Sequence, residues 1–329
     1  MSTLQDLIHQ FDGQHVVVIG DVMIDRYLRG SVSRISPEAP VPVLHYQNTD
    51  NRLGGAANVA LNLRALGATV HLLSTIGTDE NGDLLCDLLP RQKLSARCLH
   101  RSEARQTTVK TRVLAGDQQL LRVDREDTHD LTAAEEAELL QRLRDTLAIY
   151  PVAAILLQDY NKGVLTERLI REVLLESVRR DIPVAVDPKK RHFWAYQRAT
   201  LFKPNLKEVR EGLDRPVQTD ELSLREAAQT LRKRLRAERI LITLGEAGVY
   251  ADSQAMGKRY PTRARAIADV CGAGDSVISI ATLCLTVGAT DEQIAQLANL
   301  AGGQVCESVG VVPVDKARLL EELDRLEAV

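Results

Sequence analysis

The sequence predicts an α/β fold, with an open and mostly parallel sheet and helices on both of its faces. Short apolar runs rich in β-branched residues recur along the chain, which is typical of strands buried in a parallel sheet. Amphipathic helical patterns lie between these runs, and such alternation indicates a sheet covered by helices. The predicted strands cover residues 15–21, 69–77, 153–159, 182–188, 200–205 and 239–245.

The helices between these strands are predicted from apolar periodicity and from capping residues. The first pattern stops at Gly67, a residue that commonly ends helices. Another begins with Thr132 as its N-cap, and Glu135 stands at the spacing of a capping box. The helical patterns cover residues 56–67, 132–147, 166–180 and 223–237.

Two segments, 26–52 and 105–123, break this rhythm. The first is rich in Val, Ser and Pro and contains "VPVLHYQ", which alternates like an exposed strand. The second, "RQTTVKTRVLAGDQQLLRV", predicts two strands around a turn at "AGDQ". The two insertions could pair into a small sheet that covers a site at the strand ends, or they could be solvated edge strands.

Composition narrows the class of protein. The 329 residues are 44% hydrophobic and 26% charged, as in a globular enzyme. A net charge of −3 and an aromatic content of 3% argue against a nucleic-acid partner. The N-terminus lacks a signal-peptide pattern, and no apolar run approaches the length of a membrane span. Five cysteines without a C-x-x-C pair favour a reducing, cytoplasmic location.

The late segment "CGAGD" holds the first candidate site. Gly272 and Gly274 allow positive φ angles and lack Cβ atoms, and an apolar helical pattern follows them. The amides of residues 272–275 would then lie at a helix N-terminus, which attracts anions. Asp275 is either a general base for a hydroxyl or an ordinary first-turn helix carboxylate.

Two earlier segments carry candidate sugar-binding groups. Gly54 and Gly55 precede a helical pattern that contains Asn58, whose amide offers a donor and an acceptor. The alternative is a tight turn into a helix. Asp21 and Asp25 follow the first strand, and open α/β sheets bind ligands beyond the carboxyl ends of their strands. These acids could hold sugar hydroxyls or could be solvated loop residues.

Two further strand ends carry polar side chains. Asn205 and Glu208 form an N-x-x-E pattern, which places both groups on one helix face. This suits positioning of phosphate and Mg²⁺ through water, because Mg²⁺ keeps several of its waters. Glu208 could equally be an ordinary first-turn carboxylate. Lys189 follows Asp187 at another strand end. The sequence has no P-loop, dinucleotide fingerprint or zinc-type Cys/His cluster.

Taken in order, these segments resemble the ribokinase-like carbohydrate kinase family, also called the PfkB family. The resemblance rests on G-G followed by Asn at 54–58, N-x-x-E at 205–208 and G-A-G-D at 272–275, and it covers nearly the whole chain. It implies a single ribokinase-like kinase domain over residues 1–329. In that family a β-sheet lid closes the sugar site, and here the insertions at about 26–52 and 105–123 would form it.

A sharper resemblance is to the branch of this family that phosphorylates D-glycero-β-D-manno-heptose 7-phosphate. It is carried by "GDVMIDRYLRGSVSRISPEAPVPVL", "RLGGAANVALNL", "TRVLAGDQQLLRVD" and "DYNKGVLT". Many members continue into a nucleotidyltransferase domain. This chain ends at Val329, shortly after the last kinase helix, so we expect the stand-alone kinase form.

The resemblance implies a role for each matching residue. Asp275 would be the base, with an anion hole made by the amides of Gly272, Ala273 and Gly274. The expected nucleotide and Mg²⁺ residues are Asn205, Glu208, Thr243, Gly245, Gly248 and Asn299. The expected sugar-binding residues are Asp21, Asp25, Gly54, Gly55 and Asn58. The candidate cations for the 7-phosphate are Arg34, Lys110, Arg112, Arg122 and Lys189.

One position departs from the family pattern. Cys271 stands where the family often has threonine, just before the first glycine of the loop. The loop amides do not need that side chain, so we expect activity to persist. A thiol at a helix N-terminus is also expected to be reactive.

The implied function is transfer of the ATP γ-phosphoryl group to O1 of heptose 7-phosphate, on the route to the ADP-heptose of the lipopolysaccharide inner core. The implied cofactors are ATP and Mg²⁺, with a monovalent cation such as K⁺ as an option. The implied assembly is a homodimer through the β lid, without nucleic-acid or membrane partners. The alternatives are a kinase of another sugar or sugar phosphate and a non-catalytic sugar-phosphate sensor.

Overall fold

The computed structural model describes residues 2–116, 118–262, 265 and 267–327, and it contains two β-sheets. In chain order the strands are β1 (His15–Gly20), β2 (Val22–Ile35), β3 (Pro42–Gly55), β4 (Thr69–Gly77), β5 (Leu99–Ser102), β6 (Val109–Ala115), β7 (Gln118–Arg125), β8 (Val152–Gln158), β9 (Val184–Asp187), β10 (Leu201–Phe202), β11 (Arg239–Thr243), β12 (Val249–Asp252) and β13 (Gly257–Tyr260).

Helices connect most of the strands of the main sheet. In chain order they are α1 (Leu4–His9), α2 (Ala56–Ala65), α3 (Glu80–Arg91), α4 (Ala133–Ile149), α5 (Glu167–Arg180), α6 (Leu206–Leu213), α7 (Glu221–Leu235), α8 (Ala273–Thr286), α9 (Asp291–Val305) and α10 (Lys316–Glu327). The predicted capping box at the start of α4 is confirmed, since the Thr132 hydroxyl accepts from the Glu135 amide while the Glu135 carboxylate accepts from the Thr132 amide.

The main sheet has nine strands in the order β13-β12-β11-β10-β9-β8-β1-β4-β5. The strands from β11 to β5 pair in parallel, whereas β12 and β13 add an antiparallel edge. Because β1 is buried on both faces, alternate side chains enter different cores: Val16 and Val18 pack on one side, and Val17 and Ile19 on the other. The predicted α/β class, with an open and mostly parallel sheet, is therefore confirmed.

The two faces of the main sheet are covered by different helices. One core contains buried residues of α1, α2, α3, α8, α9 and α10, and the other contains buried residues of α4, α5, α6 and α7. This arrangement follows from the chain order, since each parallel crossover needs a helix that returns over one face. The N-termini of α2, α6 and α8 consequently meet at the edge where the parallel strands end.

The second sheet has the strand order β3-β2-β6-β7 and is called the small sheet below. Strands β2 and β3 form a long antiparallel hairpin, β6 pairs in parallel with β2, and β7 pairs with β6. Residues 26–52 lie within the hairpin and its turn, and most of residues 105–123 lie in β6 and β7. Asp117, part of the predicted turn, lies outside the described residues.

Several elements differ from the sequence-based expectation. The predicted strand over 200–205 is reduced to Leu201–Phe202, because Pro204 has no amide hydrogen for the ladder and Asn205 is already the N-cap of α6. The helix α3 and two short strands, the buried β12 and the partly exposed β13, were not predicted. Among the described residues, no helix combines the length and apolar character that a membrane crossing requires.

Candidate active site

The candidate site lies where the carboxyl ends of β8, β9, β10 and β11 meet the N-termini of α2, α6 and α8. Neighbouring strand ends bring Gln158 and Asp187 side by side, since these residues pair directly in the β8–β9 register. Lys203 follows β10, and Asn205 bridges to Thr243 at the end of β11. Parallel pairing therefore brings together polar groups that lie far apart in the sequence.

Asp275 lies in the first turn of α8 and is 6% exposed. Its Oδ2 accepts a hydrogen bond of 2.7 Å from Nδ2 of Asn58. Its Oδ1 accepts one of 2.7 Å from the hydroxyl of Tyr160 and a longer one of 3.4 Å from Nε2 of Gln158. These donors come from three different elements, so the plane of the carboxylate is fixed from several directions.

Burial dominates the electrostatics of this carboxyl group. Desolvation raises the pKa of Asp275 from 3.8 to about 6, and the nearby carboxylate of Asp187 adds to the rise. The hydrogen bonds from Asn58 and Tyr160, together with the charge of Lys203, act in the opposite direction. A carboxylate poised in this range is mostly ionised at neutral pH and can still accept a proton readily.

A second buried carboxylate lies beside the first. Asp187 is 4% exposed, and its Oδ2 accepts from Nε2 of Gln158 at 3.2 Å and from Nζ of Lys203 at 3.0 Å. Gln158 therefore bridges Asp187 and Asp275 with the same amide nitrogen. Oδ1 of Asp187 is buried and has no hydrogen-bond partner among the described residues. That oxygen is free to accept from a bound water or ligand.

The glycine loop adopts the conformation that its composition predicts. Gly272 is the N-cap of α8 with a φ of +82°, which a residue with a side chain rarely adopts. A Cβ at Gly272 would lie 3.3 Å from Nδ2 of Asn58, the atom that donates to Asp275. The loop leaves the first amides of α8, including those of Ala273 and Gly274, at the helix N-terminus, where they can attract an anion.

Asn205 and Glu208 hold each other in a capping box at the start of α6. The side-chain oxygen of Asn205 accepts from the Glu208 amide at 2.9 Å, and the Glu208 carboxylate accepts from the Asn205 amide at 2.8 Å. The Glu208 carboxylate is also paired with Nζ of Lys189. The helix-terminus role that the sequence left open is thus realised, and any contact with a cation is in addition to it.

Lys189 lies with these acids and not in the small sheet. Its ammonium is paired with Glu208 and stands 3.9 Å from Oδ1 of Asp187. Although burial alone would lower the pKa of Lys189, the two carboxylates raise it above its ordinary value, so the side chain stays charged. Its Nζ lies 5.5 Å from the ring centroid of Tyr160, within the range of a cation–π contact.

Two adjoining clefts open beside these groups. The first, of about 410 Å³, is lined by Asp275, Lys203 and Lys189 together with Thr243 and Gly245. The second, of about 250 Å³, continues from Thr243, Gly245 and Gly274. Its other lining residues are Glu246, Gly248, Val249, Thr262, Ile267, Val270, Ala273, Val277, Ala298, Asn299, Gly302, Gly303 and Cys306. The shared residues make the two clefts one continuous groove.

The second cleft is lined mainly by small or apolar side chains. Gly248 has a φ of +94°, and a Cβ there would overlap the carbonyl of Tyr260. Asn299 donates its amide to that same carbonyl at 2.9 Å, so its side chain braces the wall of the cleft. A flat ring system fits such a cleft, because its lining residues are mainly small or apolar.

Asp21 is buried and accepts hydrogen bonds from three backbone amides. It is 1% exposed, and its two oxygens accept from the amides of Tyr160 at 2.8 Å, Lys162 at 3.0 Å and Val164 at 3.0 Å. Desolvation raises the pKa of Asp21 to about 6, and Asp159 adds to the rise. Asp21 thus holds the backbone of the loop that follows β8.

Asp25 and the glycine pair meet at the base of the small sheet. Asp25 is 4% exposed and forms an ion pair with the guanidinium of Arg112. A Cβ at Gly54 would overlap the Asp25 carboxylate, and a Cβ at Gly55, whose φ is +59°, would overlap the backbone oxygen of Asp21. Only glycine at these two positions allows β3 to pack this closely against Asp25 of β2 and against the backbone of Asp21, which precedes β2.

Three of the predicted phosphate-binding cations lie close together on the small sheet, since Arg112 pairs directly with Arg122 in the β6–β7 register and Lys110 stands two positions from Arg112 on β6. The Lys110 ammonium contacts Asp124 at 3.1 Å and Glu126 at 3.2 Å, and Arg122 pairs with Asp124 at 2.9 Å. Arg34 is exposed on the outer half of β2. Arg112 differs from these neighbours because it is largely buried and forms an ion pair with Asp25. The pairing of Lys110 and Arg122 with acids reduces the charge they can offer to an anion.

The expectation that Cys271 is reactive is wrong. Burial and the neighbouring carboxylate of Asp269 raise the pKa of the Cys271 thiol to about 11, which outweighs the lowering effect of Arg112. The Asp269 carboxylate also accepts from the Cys271 amide at 3.0 Å, which holds this negative charge beside the thiol. The thiol is therefore protonated and poorly nucleophilic at neutral pH.

Three residues of the site were missed by the sequence analysis. Tyr160 and Gln158 lie at the end of β8, and Lys203 precedes the N-x-x-E pattern. Each occupies the position just beyond or at a strand end, which is the signal that had singled out Asp187 and Lys189. Applying the strand-end rule to every predicted strand would have found them.

Comparison with known proteins extends this description. The family described as "pfkB family carbohydrate kinase" matches residues 14–317. The chain is 40% identical over 98% of its length to "Bifunctional protein HldE" of Methylobacillus flagellatus, and 38% identical over 98% to the protein of that name from Syntrophotalea carbinolica. It spans 66% and 65% of the lengths of these relatives.

Solved structures share the fold. Phosphofructokinase-2 from Escherichia coli in complex with fructose-6-phosphate superposes with a TM-score of 0.76 at 20% identity, over 95% of this chain and 100% of that chain. Ribokinase from Arabidopsis thaliana, complexed with ribose and ATP, has a TM-score of 0.72 at 17% identity, over 95% of this chain and 99% of that chain. At these identities the likeness concerns the fold alone.

Proposed function

Because the chain belongs to the pfkB family of carbohydrate kinases, as the sequence resemblance predicted, we propose that it phosphorylates D-glycero-β-D-manno-heptose 7-phosphate at O1. The donor is ATP, and the product is heptose 1,7-bisphosphate. The heptose assignment is supported by the lid and loop segments named in the sequence analysis and by the similarity to the HldE proteins. The product would serve ADP-heptose synthesis for the lipopolysaccharide inner core.

The observation that carries the reaction type is the placement of Asp275. Its carboxylate is buried, oriented by Asn58 and Tyr160, and lies beside the N-terminal amides of α8 at the junction of two clefts. Oδ1 and Oδ2 together offer about four acceptor positions, so a sugar hydroxyl can still donate to one of them. Asp275 would take the O1 proton as that oxygen attacks the γ-phosphorus.

Negative charge in the transferring group is the main obstacle to phosphoryl transfer. Lys203 and the amides of residues 272–275 line or border the cleft where this charge would develop. Lys203 is held in place by Asp187, so its ammonium is pre-organised and need not be ordered during the reaction. Such fixed groups stabilise a transition state more effectively than mobile solvent does.

The residues present fit a magnesium ion bound largely through water. Asp187 presents a buried oxygen without a hydrogen-bond partner among the described residues, and Glu208 lies close by. Oxygen ligands of this kind suit Mg²⁺, which retains several waters in phosphate sites. When bound, the ion would neutralise charge on the nucleotide phosphates. Asn205 would act indirectly, by holding Glu208 through the capping box.

ATP would lie along the continuous groove, with its phosphates near Thr243 and Gly245 and its base in the narrower cleft near Asn299. The glycines at 245, 248 and 274 leave room for a backbone approach to phosphates. A monovalent cation is a further option, since one Phosphofructokinase-2 structure from Escherichia coli is described as a complex with potassium. Measuring turnover with K⁺ replaced by a bulky organic cation tests that option.

The sugar phosphate would bind between the main sheet and the small sheet, which would act as a lid. Asp25 and Arg112 lie at the base of that sheet, and their ion pair offers both an acceptor for a hydroxyl and a cation for the phosphate. Closing the small sheet over the sugar would exclude water that otherwise hydrolyses ATP. Asn58, buried beside Asp275, links the sugar side of the site to the base.

The substrate can be tested with a panel of acceptors. Purified protein would be assayed for ADP release with heptose 7-phosphate, fructose 6-phosphate, ribose and adenosine, and the product would be identified by ³¹P NMR. The proposal expects the highest kcat/KM with heptose 7-phosphate and a phosphate signal on the anomeric carbon. A higher value with another sugar would favour a different kinase. Binding of sugar phosphate without ADP release would favour a sensor.

We also propose that two copies pair through their small sheets. Apolar side chains there are exposed to between 36% and 64%, namely Val32, Tyr46, Leu121 and Val123. A second copy of the same sheet would bury them in a symmetric contact. Sedimentation velocity of Leu121→Glu tests this, with Leu222→Glu on α7 as the control, since Leu222 is also exposed, at 66% against 50% for Leu121. A wild-type monomer, or a dimer that survives Leu121→Glu, would contradict it.

A further inference from the structure

Tyr160 is joined to the candidate base more directly than any charged group of the site. Its hydroxyl donates to Oδ1 of Asp275 at 2.7 Å, while its ring lies 5.5 Å from Nζ of Lys189. The Tyr160 side chain is half-buried, and desolvation of the phenol raises its pKa well above the ordinary value, with the Asp275 charge adding to the rise. The hydroxyl therefore keeps its proton and acts as a hydrogen-bond donor throughout the useful pH range.

The position of Tyr160 is set by the backbone of its own loop. The Asp21 carboxylate accepts from the amides of Tyr160, Lys162 and Val164, which curls the loop after β8 around one buried group. Asn161 within that curl has a φ of +56°. Three bonds to one carboxylate leave this backbone segment little freedom, so Asp21 fixes the backbone position from which the phenol reaches Asp275.

We propose that Tyr160 is a positioning residue for Asp275, which holds Oδ1 and keeps the carboxylate ionised, and that Asp21 acts on the base through Tyr160. The inference rests on the proposed function, because it concerns the base of that reaction. It gives a structural role to two residues. The family pattern assigns no role to Tyr160, and it connects Asp21 with the sugar.

The physical argument follows from how Asp275 is held. Asn58 secures Oδ2, and Tyr160 secures Oδ1 at a shorter distance than Gln158 does. Without the phenol, Oδ1 would keep only the 3.4 Å contact with Gln158, and the carboxylate could rotate. A hydrogen bond to the charged form stabilises that form, so its loss favours protonation.

Among the described residues, the main charged groups around Asp275 are Asp187, Lys203 and Lys189. Asp187 faces it from β9 and opposes ionisation, whereas Lys203 from the segment after β10 and Lys189 from the loop after β9 favour it. None of these groups replaces the donor that Tyr160 supplies to Oδ1. Loss of one hydrogen bond to a charged group should therefore shift the Asp275 titration upward by about one pKa unit.

The test is the pH dependence of Tyr160→Phe, which keeps the ring and removes only the hydroxyl. The acid limb of the kcat/KM profile should move up by about one unit. The kcat/KM of the variant should thus be about tenfold lower than that of wild type on the steep part of that limb, and the difference should be smaller at pH 8. Tyr196→Phe is a matched control, because the Tyr196 hydroxyl also donates to a carboxylate, that of Asp159, at 2.8 Å. An acid limb that stays at the wild-type position in Tyr160→Phe would overturn the proposal.

A second measurement needs no substrate. In protein labelled with ¹³C at the aspartate carboxyl carbons, the Asp275 signal is identified by its loss in Asp275→Asn and followed against pH. An upward shift in Tyr160→Phe supports the proposal even if no sugar phosphate is phosphorylated, in which case only the proposed function fails. An unshifted midpoint overturns it. If Tyr160→Phe does not fold, Asp21→Asn, which loses one amide bond of the loop, is expected to shift the same midpoint upward.

Discussion

Asn58 donates a hydrogen bond of 2.7 Å to Asp275 across 217 positions of sequence. The bond joins the first turn of α2 to the first turn of α8, two helices that pack on the same face of the sheet. Asn58 is fully buried and held in turn by Asn62, whose amide donates to the Asn58 carbonyl at 2.9 Å. A sugar-side helix and the base are therefore mechanically connected.

Replacing the candidate base should abolish most turnover without loss of nucleotide binding. Asp275→Asn keeps the shape of the side chain but removes the proton acceptor, and general-base catalysis contributes about 10²- to 10⁴-fold. We expect kcat to fall by that amount, while the Kd for ATP measured by calorimetry changes little. Asp252→Asn is the control, since Asp252 is equally buried but pairs with Arg232 elsewhere. A kcat near wild type in Asp275→Asn would reject the assignment.

Activity should depend on a group that titrates near pH 6. Burial raises the pKa of Asp275 to about 6, and the base works only when it is ionised. We therefore expect kcat/KM to be level above this value and to fall about tenfold per pH unit below it. A profile that remains flat down to pH 5 would show that the Asp275 titration does not limit the reaction.

The same pKa shift has a consequence for stability. Since the folded-state pKa of Asp275 lies above the value of 3.8 in the unfolded chain, the group stabilises the fold at low pH and loses that contribution as pH rises through about 6. Asp275→Asn should thus raise the free energy of unfolding at pH 8, by up to about 3 kcal/mol, with little gain near pH 4. Urea unfolding at both pH values measures this. A variant less stable than wild type at pH 8 would contradict it.

Among the cations of the small sheet, Arg112 should matter most for the sugar phosphate. It is mostly buried and paired with Asp25, whereas the Arg122 side chain is 50% exposed and paired with Asp124. We expect Arg112→Gln to raise KM for the sugar phosphate at least tenfold and to leave KM for ATP nearly unchanged. Arg122→Gln is the matched control and should change either value less than threefold, because exposed ion pairs contribute little. A larger rise in KM for the sugar phosphate in Arg122→Gln than in Arg112→Gln would place the phosphate site nearer to the exposed Arg122.

Cys271 should be unreactive in the folded protein. With the pKa of its thiol raised to about 11, only a very small fraction is thiolate at pH 7.5. Alkylation by iodoacetamide, followed by mass spectrometry, should label this residue more slowly than a free cysteine. Cys271→Thr should keep its activity within about twofold, because the loop acts through its amides. Rapid labelling would mean that burial does not control this thiol.

Much of the fold could be predicted because it depends on local patterns. Buried parallel strands read as continuous apolar runs, and the capping box at Thr132 and Glu135 is a short-range signal. The predicted strand after Ala199 was too long, because a proline in the ladder and a helix cap compete for the same residues. The helix α3 and the short strands β12 and β13 were not predicted, because packing against the rest of the sheet stabilises them more than their local sequence does.

The candidate site was only partly predictable for the same reason. The sequence places Asp275 in a glycine loop before a helix, and this is sufficient to suggest a base. It does not reveal that Tyr160 and Gln158 donate to that base, or that Lys189 forms an ion pair with Glu208. Those contacts depend on strand order, which brings the ends of β8, β9 and β10 together.

By itself, the sequence determined the α/β class, the family resemblance, the glycine loop with its following acid, and the order of the motifs. Only the tertiary structure decided which groups face one another and how burial changes their chemistry. Asp21 shows the difference, because a strand-end acid predicted to bind a sugar hydroxyl also accepts from three backbone amides of the loop after β8, which its spacing in the sequence does not indicate. The physical reason is that hydrogen-bond partners and desolvation are properties of the folded neighbourhood, which sequence spacing does not encode.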